Sequence, residues 1–117
     1  MMRRNDFLAR AGVAVGFLMI VSIGAAAARA DCLEVIGCTD SDRFDLDDLY
    51  ELSCENLWHV RNRIYDENGY CFGSERGQEA FDNSDCWIKN QANVELSEIE
   101  TYNVDQIVKA EEENACN

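Results

Sequence analysis

Cysteine placement constrains this chain more than any other feature. Cys32, Cys38, Cys54, Cys71, Cys86 and Cys116 all follow an N-terminal stretch that reads as an export signal. An even number of cysteines in a small exported chain reads as a disulfide framework, because an oxidising compartment lets the thiols pair. A chain of this size buries only roughly 60–65% of its unfolded surface, so its apolar core alone is marginal. Each bridge adds about 2–4 kcal/mol, comparable with the whole net stability of a small domain. The bridges are therefore expected to be structural. No C-x-x-C occurs, so neither a zinc ribbon nor a thioredoxin-type redox site is signalled, and no metal or cofactor is expected. Spacing does not choose among the possible connectivities. A short local loop closed by Cys32 and Cys38, with Gly37 between them, is the favoured first pairing.

The export signal occupies residues 1–30. Arg3, Arg4 and Arg10 give a positive start, residues 11–28 are nearly all apolar, and Ala28-Arg29-Ala30 is an A-x-A cleavage site. Cleavage after Ala30 would begin the mature chain at Asp31 and place it in the periplasm or beyond, with no stable membrane span. The apolar run lies near the lower limit for spanning, so an uncleaved anchor is the alternative. Asp31 before Cys32 argues against a lipoprotein, and Asp6 spoils the twin-arginine spacing.

Removing residues 1–30 takes away four Arg and one Asp. Six basic and 22 acidic residues remain, a net charge of −16. Such a surface repels nucleic acid and anionic membrane and favours cationic partners, although solubility alone also accounts for it.

The central stretch, Ser53 to Phe72, reads as an amphipathic helix with its stop. Ser53 is a plausible N-cap and Glu55 opposes the helix dipole in the first turn. Leu57, Val60, Arg61 and Ile64 recur at three- and four-residue spacing, with Trp58 and Tyr65 seven apart beside them. Asn68-Gly69 ends the helix, since both residues tolerate the left-handed conformation. Tyr70 and Phe72 then return the chain to the core.

Leu57, Arg61-Asn62-x-Ile64-Tyr65, Gly69-Tyr70-x-Phe72 and Leu96-Ser97-x-x-Glu100 together resemble the YARHG domain of secreted bacterial proteins, in a cysteine-containing form. The resemblance covers roughly residues 46–116. It departs in the name-giving motif, where Tyr65-Asp66-Glu67-Asn68-Gly69 replaces Tyr-Ala-Arg-His-Gly. A role resting on that Arg and His does not carry over. The resemblance implies a small extracytoplasmic domain and brings no established activity.

The remaining chain divides simply. Residues 31–45 form an N-terminal cysteine clip, polar and turn-like over Ser41–Asp45, and residues 46–117 form the YARHG-like helical domain. Asp45 caps a short helix over Leu46–Leu52, with Asp47 and Asp48 in its first turn. Gly73 to Gly77 is a turn in which Ser74 caps a short helix to Phe81. Cys86-Trp87-Ile88 brings the chain back to the core, and Lys89 to Glu95 is a loop. Ser97-x-x-Glu100 is a capping box that opens a final helix through Ile99, Tyr102, Val104, Ile107 and Val108 towards Glu113.

Few residues suggest chemistry. His59 is the only histidine, so it has no triad or cluster to join and reads as a partly exposed helix residue. Asp66, Glu67, Asp82, Ser84 and Asp85 offer oxygen ligands but not the order of a calcium loop, and read as solvated acids. Adjacent acids such as Asp66 and Glu67 point about 100° apart on a helix and make poor acid–base partners. Arg61 either orders the fold through a bidentate carboxylate pair or opens a surface site for an anionic or peptide ligand. Tyr65 and Tyr70 are the other candidate binding or fold-ordering residues. With Trp58, Phe72 and Trp87 they read as core, and two of them exposed together would mark a binding face.

The chain is thus expected to be mainly α, a small disulfide-stabilised helical domain. Its expected role is that of an exported noncatalytic binding domain, not an enzyme, with a cationic or peptide-like extracytoplasmic partner. The alternative is a secreted acidic inhibitor or neutraliser of a cationic protein or enzyme.

Overall fold

The computed structural model describes residues 32–117. The expected signal peptide, and the mature start at Asp31, lie outside the described residues. Four α-helices, one two-stranded hairpin and three disulfides organise the rest. Strands β1 (Cys32–Leu33) and β2 (Gly37–Cys38) pair antiparallel with Cys32 opposite Cys38, and those two cysteines are bonded. Gly37 has φ +107°, and a Cβ there would lie 2.9 Å from Asp42 Oδ2, the atom that accepts from the Cys38 N–H. Glycine is required at this corner.

Helix α1 (Leu46–Tyr50) starts at Asp45, whose carboxylate accepts from the Asp47 N–H. Helix α2 (Cys54–Glu67) starts at Ser53, α3 (Glu75–Ala80) at Ser74, and α4 (Glu98–Glu113) at Ser97. At α4 the capping box is complete. Ser97 Oγ accepts from the Glu100 N–H at 3.1 Å, and Glu100 Oε1 accepts from the Ser97 N–H at 2.9 Å. Each cap satisfies donors that the first turn would otherwise leave without partners. Gly77 lies within α3, not in the turn before it. A Cβ there would meet Phe72 at 2.7 Å, so the glycine sets how closely α3 approaches that ring.

The end of α2 divides the work expected of Asn68-Gly69. Only Gly69 is left-handed, at φ +94°. Asn68 keeps negative φ and uses its side chain, donating to Ile64 O at 2.7 Å and to Glu100 Oε2 at 3.0 Å.

Helix α4 packs on α1 and α2. Phe44, Leu49, Leu57, Val60, Ile64, Ile107 and Ala110 fill the core, joined by Ile36 from the hairpin loop. The N-terminal clip therefore contributes to the core, and Phe44, in a stretch read as polar and turn-like, is fully buried. Its burial depends on Asn103 of α4. Asn103 Oδ1 accepts from the Phe44 N–H at 2.8 Å, while Nδ2 donates to Thr39 O at 3.0 Å and Asp42 O at 2.8 Å.

The other two bridges join distant positions. Cys54–Cys116 ties the start of α2 to the chain end beyond α4, and Cys71–Cys86 closes the loop that carries α3. Tyr70 and Ile88 form a parallel bridge beside the latter, with the Cys71 N–H donating to Ile88 O at 2.7 Å.

Candidate binding surface

One face of α2 remains outside the core. Asn56, His59, Arg63 and Glu67 recur at three- and four-residue spacing, which aligns them in a stripe along the helix beside the buried Val60. Among the depressions that border this stripe, two stand out by their lining.

The first is a cleft of about 320 Å³ between α2 and the hairpin loop, with apolar walls from Leu33, Val35, Ile36, Leu52, Val60 and Phe81. Val35, at the hairpin tip, is 67% exposed. Glu34, Asn56, His59 and Arg63 supply the polar part of the lining. Both basic side chains, His59 and Arg63, already have carboxylate neighbours. His59 Nε2 lies 3.1 Å from Glu55 Oε2, and Arg63 Nε lies 3.0 Å from Glu67 Oε2.

The second depression lies at the C-terminal end of α2, lined by Asp66, Glu67, Asp82, Asp85 and the indole of Trp87. Trp87 is 71% exposed, which corrects its assignment to the core. The Trp87 and Ile88 N–H groups both donate to Gly69 O at 3.0 Å, and the indole rests where a Gly69 side chain would stand. Crowding shows in the acids. Burial, then the Asp85 and Asp82 carboxylates, push Asp66 above the usual carboxylate range, against the pull of Arg63. Asp82 is held below that range by the Ser84 N–H and hydroxyl, at 2.9 and 3.0 Å. Among the described residues no group of three histidines, cysteines or carboxylates is placed to hold a metal ion.

The aromatic residues join into a row. Tyr65 meets Tyr70 at 6.2 Å between ring centroids, Tyr70 meets Phe72 at 4.8 Å, Phe72 stacks on Phe81 at 4.8 Å, and Phe81 reaches Trp58 at 6.1 Å. Of these only Phe72 is buried; Trp58, Tyr65 and Tyr70 are half-buried, which corrects their reading as core. Arg76 stands 3.7 Å over the Trp58 ring while donating to Glu55 at 2.7 Å, so Trp58 already has a cation on its face.

Arg61 lies on the opposite side of α2, against α4. Its Nε donates to Glu111 Oε1 at 2.8 Å and its Nη2 to Oε2 at 3.1 Å, with the two side chains 25% and 14% exposed. This fork joins the two longest helices. Tyr65, one turn after Arg61 on the helix, meets Tyr70, while the Arg61 guanidinium is taken up by Glu111.

Sequence reasoning missed both depressions. The cleft needs the hairpin loop folded against α2, which no local pattern announces. The Cys71–Cys86 pairing, by contrast, was one of the open connectivities, and it draws Trp87 towards Gly69.

The family model described as the YARHG domain matches residues 34–112. The match begins inside the loop between Cys32 and Cys38, earlier than the resemblance over residues 46–116 suggested, and so takes in the hairpin tip. No curated protein and no solved structure matches the chain.

Proposed function

The chain belongs to the YARHG domain family, and on that premise we propose that it acts outside the cytoplasm as a noncatalytic interaction domain for a cationic, peptide-like partner. Three disulfides fit an oxidising compartment. Among the described residues no helix is long and apolar enough to cross a membrane. The observation that carries the partner's chemistry is the exposed indole of Trp87 beside Asp66, Asp82 and Asp85. An indole face flanked by carboxylates attracts a lysine or arginine side chain through cation–π and ionic contacts together.

Titration with a Lys-rich peptide, followed by calorimetry, tests this reading. Binding is expected, and Trp87→Ala is expected to weaken it by about fivefold or more, a loss of about 1 kcal/mol. Equal affinity for the wild type, Trp87→Ala and the triple Asn variant of Asp66, Asp82 and Asp85 would remove the support.

The net charge of −16 over residues 31–117 supports a second reading, a secreted acidic inhibitor or neutraliser of a cationic protein or enzyme. The two separate by salt. Capture driven by net charge alone fades as ionic strength approaches about 0.5 M, whereas contact with an apolar surface persists.

A further inference from the structure

We infer that the cleft between the hairpin loop and α2 seats an apolar side chain of an extended basic segment, whose neighbouring Lys or Arg reaches Trp87 and Asp66. The inference rests on the function just proposed and adds the partner's shape and residue spacing. The stripe Asn56, His59, Arg63 and Glu67 runs along one side of α2, with the cleft, floored by Val60, towards its start and the acidic ledge at its end. Val60 and Asp66 are six positions apart, about 9 Å along a helix axis. An extended peptide covers that distance in about three residues. A segment lying along the stripe would therefore alternate an apolar anchor with a basic residue about three positions away.

Charge selects this occupant over an acidic or purely apolar one. Arg63 and His59 are already opposed by Glu67 and Glu55. Glu34 in the lining has no cation within ion-pair distance among the described residues. The cleft thus has an apolar floor in which Glu34 balances Arg63, while the excess negative charge stands at the ledge with Asp66, Asp82 and Asp85, which suits an aliphatic anchor followed by a basic residue. At about 320 Å³ it lies at the small end of ligand cavities, enough for an anchor and not for a folded element.

Two fluorescein-labelled peptides test the inference on the full disulfide-bonded protein. One carries a single Leu flanked on each side, at about three positions, by a Lys pair, which makes the result independent of chain direction. The other has Ser in place of Leu and the same charge. The Leu peptide is expected to bind about tenfold tighter and to shift the methyl resonances of Leu33, Val35, Leu52 and Val60. Val35→Glu gives a reading of opposite sign for the two mechanisms. It adds a negative charge at an exposed tip, so it strengthens binding of the Ser peptide while erasing the preference for Leu.

Equal affinity for the two peptides would overturn the inference and leave the charge-based function standing. Binding of neither would sink both. Methyl shifts confined to residues outside the cleft would also overturn it. So would concentration-dependent dimerisation abolished by Val35→Glu, which would give the cleft to a second copy of the chain.

Discussion

Asn103 holds Phe44 in the core by its backbone. The amide of Asn103 accepts the Phe44 N–H and donates to the carbonyls of Thr39 and Asp42, so one fully buried side chain fixes a whole turn of the N-terminal segment. Asn103→Ala leaves a buried donor and two acceptors without partners. A loss of about 2–4 kcal/mol is expected, read as a lower urea midpoint. Asn114→Ala, whose bonds to Tyr50 O and Leu52 O are exposed and 3.2–3.4 Å long, is expected to cost less than about 1 kcal/mol.

Arg61 and Glu111 form a fork that solvent only partly reaches. A double-mutant cycle between Arg61→Ala and Glu111→Ala is expected to give a coupling of about 1–2 kcal/mol, more than an exposed pair yields. Arg61→Lys keeps the charge and loses the planar fork, so it should recover only part of it. None of these changes is expected to alter affinity for the Lys peptides, because the pair lies away from the stripe.

Gly69→Ala places a methyl group into the Trp87 indole at a left-handed position. The expected cost is about 1–3 kcal/mol, by thermal or urea unfolding. Repeating it in a Trp87→Ala background separates two causes, since the collision disappears there and only the cost of the backbone conformation remains.

Asp66 gives a pH dependence of definite sign. Its folded-state value is raised, so the folded protein holds this proton more tightly than the unfolded chain does. That contribution is present at low pH and fades as pH rises through the folded-state value. Asp66→Asn is therefore expected to be more stable than the wild type at neutral pH, with the gap closing as pH falls towards about 4. Asp82, shifted the other way, contributes stability that is lost on acidification.

The bridges differ in the length of chain they close. Cys54–Cys116 spans a separation of 62 residues and Cys32–Cys38 one of 6. By loop-closure entropy their removal as Ser pairs is expected to cost about 4 and about 2 kcal/mol respectively, measured by urea unfolding.

What was legible in the sequence was local. Asp45, Ser53, Ser74 and Ser97 announce their helices because a cap acts within three residues, and the capping box at Ser97 and Glu100 is a single short pattern. The apolar spacing of Leu57, Val60 and Ile64 likewise places the core face of α2. Asn103 was not legible, since its partners stand 59–64 residues earlier in the chain and a polar residue on a helix ordinarily reads as surface. Phe44 sits among Ser, Asp and Arg, which hid its burial. Trp87 was misread because hydrophobicity alone places an indole inside, whereas here backbone bonds to Gly69 O and the Cys71–Cys86 bridge hold it at the surface.

The disulfides also impose an order of events during biogenesis. Cysteines oxidised in the sequence in which a chain emerges would join each one to the next. That rule makes Cys32–Cys38 correctly, then joins Cys54 to Cys71 and Cys86 to Cys116, both wrong. The native pairs are nested, with Cys71–Cys86 enclosed by Cys54–Cys116. Cys54 must wait for a partner 62 residues later, on the far side of the helix that brings Asn103 and Ile107 to the core. Maturation of this domain thus favours a compartment that can reshuffle mispaired thiols, not one that only oxidises them.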